Sequence, residues 1–334
     1  MSMSPDAAVR IGALEFFAHF TPEQLAAFAA CVTRQRLPAG ATVVKEGDAT
    51  GDAYVIDSGR VRIQRRTPYG QYTLAVLGAG EIFGETSFVD RHARSGDVVT
   101  EVPSALLVID AAAVAAAAES DQRLTLALYW TFWKSLSQKL RRTNEMLGRF
   151  FSQAGGPPQQ PPPPAKESTG EFRVDMAAKR NLFQEQKLAA MEITFLATLS
   201  HERKLRPGQI LFREGEPGDA MYVVLEGRMM ISKFIPGAGE EALAFLERGD
   251  YFGEMALIDN QPRSADARAH EQGAVVLALP REVVAGLLDI HKLSSLRLLK
   301  ILCGLVAKRL REVDDKIVGW HILAAGGGHE PPAE

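Results

Sequence analysis

The stretch FGEMALIDNQPRSA, residues 252–265, decides how this chain is interpreted. Its segment from Glu254 to Ile258 favours a short helix, and Gly253 precedes it. A helical turn there would present unpaired backbone N–H groups and the positive end of its dipole, which together attract an anion. Because Gly253 has no Cβ, a ligand could approach the main chain closely. The stretch therefore predicts an anion site.

Two charged residues of this stretch indicate which anion. Arg263, nine residues after Glu254, can bind a phosphate with both arms of its guanidinium. Glu254 cannot bind that phosphate, but its carboxylate can accept a hydrogen bond from a ribose hydroxyl attached to it. Together they describe a nucleotide site, with a purely structural Glu–Arg ion pair as the alternative. Asp266, three residues after Arg263, could orient the guanidinium or be a solvated strand residue.

The same pattern occurs a second time in the chain. FGETSFVDRHARSG, residues 83–96, has its Glu and Arg at the same nine-residue spacing, followed by Asp97. LPAGATVVKEGD (37–48) also matches LRPGQILFREGE (205–216) at an offset of 168 residues. A repeat this long exceeds the ~20 to 50 residues of solenoid units, so each copy should fold as a domain.

A proline-rich segment separates the two copies. GGPPQQPPPPAKESTGE, residues 155–171, contains six prolines and no large apolar residue, so it should be an extended spacer. We therefore expect the following division of the chain: a first domain at 12–150, a linker at 151–173, a second domain at 174–320 and a flexible tail at 321–334.

Each copy shows the same order of elements. Helical spacing over 21–36, with Thr21 as a possible N-cap, gives way to short β-rich runs separated by turns from about 37 to 110. The fold class expected is α+β, mainly β, with two antiparallel β-roll or jelly-roll domains, each flanked by helices and ending in a long helix. Apolar seams mark those long helices: Trp133, Leu136, Leu140, Thr143 and Leu147 in the first copy, and Leu299, Leu302, Val306, Leu310, Val313 and Ile317 in the second.

Composition excludes several classes of protein. The 38 basic and 41 acidic residues give a net charge of −3, unlike a sequence-independent nucleic-acid binder. Cys31 and Cys303 have neither disulfide-framework nor zinc spacing and are expected to be buried thiols of a reduced compartment. The seven histidines are scattered, so we expect no metal site. No signal peptide or membrane-spanning stretch is visible, which leads us to expect a cytoplasmic protein.

With these motifs, the sequence resembles the cyclic nucleotide-binding domain family of catabolite-activator-type regulators, protein kinase A regulatory subunits and cyclic-nucleotide-gated channels. The resemblance covers about 140 residues on each side of the linker. It makes residues 83–96 and 252–265 the first and second phosphate-binding cassettes. It implies that Glu254 accepts from the ribose 2′-OH and that Arg263 neutralises the cyclic phosphate.

The resemblance assigns further ligand contacts in both cassettes. In the second cassette they are Gly253, Glu254, Met255, Ala256, Arg263, Ser264 and Ala265. In the first cassette they are Gly84, Glu85, Thr86, Ser87, Arg94 and Ser95. Thr86 stands where the family has an aliphatic residue, and Gly96 stands where it has Ala, so the first cassette should bind more weakly, bind another nucleotide or be empty. Trp130 and Trp133 could cap a base or pack in the helix seam.

The resemblance also limits what the protein does with its ligand. A catabolite-activator-type regulator would add a winged helix, whereas only 16 residues follow Val318, so direct DNA reading is not expected. A kinase inhibitor site is missing from its expected place, because Arg141-Arg142 falls in the long helix and Arg65-Arg66 in the β-rich region. No nucleophile–base pair or phosphate-binding loop of an enzyme is visible.

We therefore expect a sensor for a cyclic nucleotide rather than an enzyme. The ligand is expected to be cAMP, with cGMP as the other candidate, because Ser95 and Ser264 stand where a Thr would point to cGMP. No cofactor is expected, and the signal would pass through helix rearrangement to a separate effector protein. The long helices suggest a homodimer or an intrachain pseudo-dimer. The alternatives are a structural assembly protein with one or both cassettes degenerate, and binding of a cyclic dinucleotide.

Overall fold

The β-rich part of the first repeat forms two antiparallel sheets. The computed structural model describes residues 11–152, 173–235 and 239–326. The strands of the first repeat are β1 (Val32–Leu37), β2 (Thr42–Val44), β3 (Ala53–Ser58), β4 (Arg60–Thr67), β5 (Gly70–Gly78), β6 (Ile82–Phe83), β7 (Asp97–Thr100) and β8 (Ser104–Ile109). Their order is β1-β8-β3-β6 in one sheet and β2-β7-β4-β5 in the other.

Side chains from both sheets fill one apolar core in this first roll. Ile56, Val61 and Leu106 are completely buried there. Tyr54 on β3 stacks on Phe83 on β6, with ring centroids 4.7 Å apart. Because Phe83 is the first residue of the first cassette, this stack fixes the point at which the chain leaves the sheet for the cassette.

The second repeat forms the same roll with longer, bent strands. Its strands are β9 (His201–Leu205), β10 (Ile210–Phe212), β11 (Ala220–Ile235), β12 (Gly239–Leu246), β13 (Tyr251–Phe252) and β14 (Asp266–Pro280). Strand β11 covers the positions of β3 and β4, and β14 covers those of β7 and β8. Gly227 allows the bend in β11, since its φ is +75° and a Cβ there would lie 2.1 Å from the Gly273 carbonyl oxygen. The predicted pair of antiparallel β-rolls with flanking helices is confirmed.

Helices flank both rolls. Those among the described residues are α1 (Pro22–Ala30), α2 (Glu85–Asp90), α3 (Ala111–Ser120), α4 (Arg123–Ser152), α5 (Met176–Glu185), α6 (Ala190–Leu199), α7 (Met255–Ile258), α8 (Arg281–Leu287) and α9 (Ser295–Gly326). Thr21 is the N-cap of α1, and its side chain and that of Gln24 form a reciprocal capping box.

The helix expected over residues 21–36 is only partly present. Helix α1 ends at Ala30, and residues 32–37 form strand β1 instead. Val32 pairs with Ile109 and Leu37 with Ser104, so the partner strand lies about 70 residues further along the sequence. The helix predicted from the spacing is therefore wrong for residues 32–36. Pairing with β8 satisfies the backbone of this segment and overrides its local helical pattern.

The two long helices extend beyond their predicted ends. Helix α4 runs to Ser152, and α9 runs to Gly326, six residues into the segment expected to be a flexible tail. That expectation is therefore wrong for residues 321–326, where the His321 ring lies 4.3 Å from the Tyr72 ring. Every residue of the two predicted apolar seams is buried, which confirms the seams.

The described chain divides into two compact units, and these differ from the predicted domains at the long helices. The first unit contains residues up to Leu136 together with those from Leu299 onward, and the second contains Ser137–Leu298. Most of α9 thus belongs to the unit that holds the first roll, and residues 137–152 of α4 belong to the unit that holds the second roll. Most of the predicted linker, residues 153–172, lies outside the described residues.

The structure also bears on the cysteines and on the possibility of a membrane-spanning helix. Cys31 and Cys303 are both free thiols and both buried, as predicted. Within the described ranges, no helix combines the length and the apolar character that crossing a membrane would require.

Candidate functional site

A glycine in left-handed conformation leads into each cassette helix. Gly253 has φ +76° and Gly84 has φ +78°. A Cβ on Gly253 would lie 2.7 Å from Arg263 Nη1, and one on Gly84 would lie 2.6 Å from Arg94 Nη1. Each glycine therefore leaves room for the arginine of its own cassette. This close contact within the protein explains the glycine more directly than the close approach of a ligand to the main chain, which the sequence led us to expect.

Arg263 is a buried cation held by backbone carbonyls. Its side chain is only 4% exposed, Nη1 donates to the Gly253 carbonyl oxygen at 2.6 Å, and Nη2 donates to that of Ala220 at 2.7 Å. The guanidinium carbon lies 4.2 Å from the centroid of the Phe212 ring, a cation–π contact. Among the described residues its Nε has no hydrogen-bond partner. Burial lowers the pKa of Arg263, so the site favours an incoming negative charge.

Arg94 repeats this arrangement in the first cassette with one difference. It is also 4% exposed, and it donates to the carbonyl oxygens of Gly84 at 3.2 Å and Asp52 at 2.7 Å. Its Nε, however, donates to the Thr50 hydroxyl at 3.0 Å. Gly218 occupies the position of Thr50 in the second repeat. Burial lowers the pKa of Arg94 too, but its guanidinium has the additional protein partner that Arg263 lacks.

The two cassette glutamates are buried beside these arginines. Glu254 is 2% exposed and Glu85 is 1% exposed. Each glutamate lies close enough to the arginine of its own cassette to act on it electrostatically. The structural role that we considered for each Glu–Arg pair stays an alternative. Glu85 accepts a hydrogen bond from the Ser135 hydroxyl at 3.1 Å. The first cassette thus uses both its Arg and its Glu in contacts with protein hydroxyls.

The smaller predicted contact residues lie around the charged pairs. Met255, Ala256 and Ala265 are buried, and the Ser264 hydroxyl lies 3.8 Å from the Met255 sulfur. Thr86 and Ser95 of the first cassette are half-buried. The positions fit the predicted assignments, whose roles as ligand contacts stay predictions.

The family model of the cyclic nucleotide-binding domain matches this chain twice, at residues 34–121 and 202–291. Together the matches make up more than half of the sequence. The chain belongs to the cyclic nucleotide-binding domain family. Each match includes one roll and its cassette.

Three curated proteins are similar to this chain over part of their length. The cGMP-dependent protein kinase egl-4 of Caenorhabditis briggsae is 24% identical over 269 residues, which are 80% of this chain and 29% of the kinase. The cAMP-dependent protein kinase regulatory subunit of Emericella nidulans is 25% identical over 263 residues, 76% of this chain and 52% of the subunit. The Cyclic AMP receptor protein of Thermus thermophilus is 38% identical over 126 residues, 37% of this chain and 56% of that protein.

This chain therefore spans under a third of the kinase and about half of the regulatory subunit. Among solved structures, the regulatory domain of Toxoplasma gondii PKA with cAMP is 19% identical, with 89% of this chain and 96% of that chain covered and a TM-score of 0.32.

The two aspartates after the cassette arginines do not orient them. Asp97 accepts from the Glu46 backbone N–H at 2.8 Å, and Asp266 accepts from that of Glu214 at 2.6 Å. Asp97 is also 7% exposed, so it is not a solvated strand residue. Both aspartates instead hold the turn that follows the second strand of each cyclic nucleotide-binding domain.

Sequence reasoning missed two arginines on the long helices. Arg311 on α9 contacts the first cassette, and Arg141 on α4 contacts the second. In the sequence, Arg141 stands out only as part of the pair Arg141-Arg142, which is not at the place expected of a kinase inhibitor site. Aligning Leu140-Arg141 with Leu310-Arg311 would have given a signal, since both pairs occupy the same place in the apolar seam.

A buried polar pair was also missed one helical turn beyond Arg141. Thr143 and Asn144 are buried, and Asn144 Oδ1 has no hydrogen-bond partner among the described residues. Trp133 is 3% exposed and packs edge-on against Trp130, with ring centroids 5.6 Å apart. Trp133 therefore packs in the helix seam, but its indole N–H, like Asn144 Oδ1, has no hydrogen-bond partner among the described residues.

Proposed function

We propose that this protein is a cyclic nucleotide sensor whose second domain binds cAMP. Arg263 would neutralise the cyclic phosphate and Glu254 would accept from the ribose 2′-OH. The observation that carries the proposal is the buried guanidinium of Arg263, whose Nε lacks a partner among the described residues. Leaving such a group without an anion costs free energy that a bound phosphate would offset.

The preference for cAMP rests on two features of the second unit. Ser264 follows the phosphate arginine, where a Thr would favour cGMP. Asn144 lies one helical turn beyond Arg141, whose contact with the Pro262 carbonyl oxygen brings this part of α4 to the second cassette. Its amide oxygen has no partner among the described residues and would suit the 6-amino group of adenine, whereas guanine has a carbonyl oxygen at that position. The relatives whose names describe a cGMP-dependent or cAMP-dependent kinase support the ligand class.

Calorimetric titration of the whole protein with cAMP, cGMP and a cyclic dinucleotide tests this function. We expect cAMP to bind most tightly, with one tight site in each chain. Tighter binding of the dinucleotide would select that alternative, and heats of mixing alone for all three ligands would reject the sensor function.

For the first cassette we propose a mainly structural role. Thr50 and Ser135 provide partners for Arg94 and Glu85 inside the protein, so a nucleotide would have to replace both hydrogen bonds. This favours the alternative of a degenerate cassette for this domain only. A bound-nucleotide count of two per chain would contradict it.

We further propose that the sensor is not itself an enzyme and acts on a separate effector protein. The relatives named as regulatory subunits support this proposal, although they are longer than this chain. Immobilised protein, with and without saturating cAMP, should retain an effector in a nucleotide-dependent manner. Retention of the same proteins in both conditions would favour an assembly role instead. The homodimer or intrachain pseudo-dimer and the cytoplasmic location stay predictions.

A further inference from the structure

We propose that Arg141 and Arg311 are positioning residues that fix the conformation of the two cassettes, and that Arg141 thereby supports nucleotide binding by the second cassette. Each belongs to the long helix of one sequence repeat but contacts the cassette of the other repeat, within a single compact unit. We call each set of contacts a clasp. The first clasp joins Arg311 to Asp90 and Ala93, and the second joins Arg141 to Asp259 and Pro262. The inference deepens the proposed function and rests on it for its ligand.

The second clasp fastens both ends of the loop before the phosphate arginine. Arg141 Nε donates to Asp259 Oδ2 at 2.8 Å, and its Nη2 donates to Asp259 Oδ1 at 3.2 Å. Its Nη1 donates to the Pro262 carbonyl oxygen at 2.9 Å. Asp259 caps the C-terminal end of α7, and Pro262 directly precedes Arg263. One guanidinium thus ties the cassette helix to the residue before the phosphate ligand.

The first clasp repeats these contacts atom for atom. Arg311 Nε donates to Asp90 Oδ2 at 2.7 Å, and its Nη2 donates to Asp90 Oδ1 at 3.2 Å. Its Nη1 donates to the carbonyl oxygen of Ala93, the residue before Arg94, at 2.9 Å. In addition its Nη2 donates to the Ser87 hydroxyl at 3.1 Å.

Three observations distinguish the clasps from ordinary surface ion pairs. The arginine and aspartate side chains are 17% and 12% exposed in the second clasp and 18% and 10% exposed in the first, so water screens them little. A carboxylate at the C-terminal end of a helix opposes the helix dipole, so Asp90 and Asp259 are poor choices unless a cation pairs with them. The same geometry also occurs in two copies whose cassettes differ at several other positions.

Each clasp joins residues from both sequence repeats. Arg311 lies in the second repeat, yet it serves the cassette of the first, and Arg141 does the reverse. Removing one arginine should therefore loosen only the cassette that it contacts. A loosened cassette must be reordered when the nucleotide binds, which lowers the affinity.

The test uses the whole protein with the substitutions Arg141→Ala and Arg311→Ala. Each is compared with a control substitution of an exposed residue on the same helix. Arg142→Ala is the control on α4 and Lys308→Ala the control on α9. Amide hydrogen exchange without nucleotide should become faster in residues 252–263 for Arg141→Ala and in residues 83–94 for Arg311→Ala, and in neither segment for the controls. Faster exchange spread equally over both cassettes, or unchanged exchange, would overturn the proposal.

Nucleotide titration then measures the effect on binding. Arg141→Ala should weaken cAMP binding at the second cassette on the order of tenfold, and Arg311→Ala should leave that site unchanged. The charge reversal Arg141→Asp with Asp259→Arg should recover much of the affinity lost in Arg141→Asp alone, which a general loss of stability would not allow. Equal weakening by Arg141→Ala and Arg311→Ala would overturn the assignment. If the wild type binds no nucleotide, the proposed function fails, while the exchange experiment still decides the clasps.

Discussion

At the residue scale, the difference between the two cassettes comes from single hydroxyl groups. Arg94 and Arg263 have equivalent backbone partners, but a protein hydroxyl accepts from Nε of Arg94 and not from that of Arg263. Thr50 supplies that neighbour in the first domain, and Gly218 cannot supply it in the second. A Cβ on Gly218 would lie 2.3 Å from the Ala256 Cβ, so the second domain has no room for the hydroxyl.

This comparison predicts a gain of function at Thr50. Thr50→Ala removes the hydrogen bond to Arg94 Nε and leaves that donor available to a phosphate. Since a single hydrogen bond contributes roughly 1 kcal/mol, the affinity of the first cassette for cAMP should rise about fivefold from its low value and become detectable at high nucleotide concentration. Calorimetry in an Arg263→Ala background isolates that cassette. The control is Thr67→Ala, whose hydroxyl bonds within a hairpin of the same unit. Unchanged or weaker binding after Thr50→Ala would contradict this account of the first cassette.

At the element scale, the turn into α7 sets the position of Arg263. Gly253 and Gly249 both have positive φ, +76° and +90°, so alanine at either position costs about 1 kcal/mol of backbone strain. Only the Cβ at 253 would strike the guanidinium, because the nearest atom to a Cβ at 249 is Gln186 Nε2 at 3.5 Å.

We therefore expect both Gly253→Ala and Gly249→Ala to lower the melting temperature, Gly253→Ala by more, and only Gly253→Ala to impair nucleotide binding. Gly253→Ala should weaken cAMP binding on the order of tenfold or more by displacing Arg263, since each lost charge-assisted hydrogen bond is worth about 1.5 to 3 kcal/mol. Gly249→Ala should bind as the wild type does. Thermal unfolding and calorimetry measure the two effects, and equal affinities for both variants would contradict the role of the turn.

The elements also show which features local sequence can predict. The seam of α9 and the short helix after Gly253 follow from spacing along one segment, and both were predicted correctly. The start of β1 could not be predicted from local sequence, because Val32–Leu37 becomes a strand only through pairing with β8. The contacts of Arg141 and Arg311 depend on where the long helices lie in the folded units, which no local pattern contains.

At the scale of the whole molecule, each compact unit combines segments from both repeats. Internal similarity of the sequence predicts two rolls correctly, but it does not predict that residues after Leu299 belong with the first roll. Leu299, Leu302 and Val306 are at most 1% exposed. Burying such side chains is worth about 1.5 to 3 kcal/mol each, so α9 contributes to the fold of the unit and does not merely follow the second domain.

The buried cysteines report on the integrity of the fold. Cys31 is 4% exposed and Cys303 is completely buried, and burial raises the pKa of both thiols. Since the thiolate is the reactive form, neither should react with iodoacetamide in the native protein, and both should react in guanidinium chloride. Lys308→Cys, at an exposed position of α9, provides a control thiol that reacts in the native state. Native labelling of Cys303 at the rate of this control would show that α9 is not packed as described.

The central claim is that the buried Arg263 receives the phosphate of a cyclic nucleotide. Calorimetric titration of cAMP into the wild type and Arg263→Ala tests it most directly, with Arg228→Ala as the control, an exposed arginine of the same unit paired with Glu247. We expect the wild type and Arg228→Ala to bind alike. Arg263→Ala should lose about 2 to 5 kcal/mol of binding free energy, because a desolvated phosphate loses its charge partner. An affinity of Arg263→Ala equal to that of the wild type would contradict the claim.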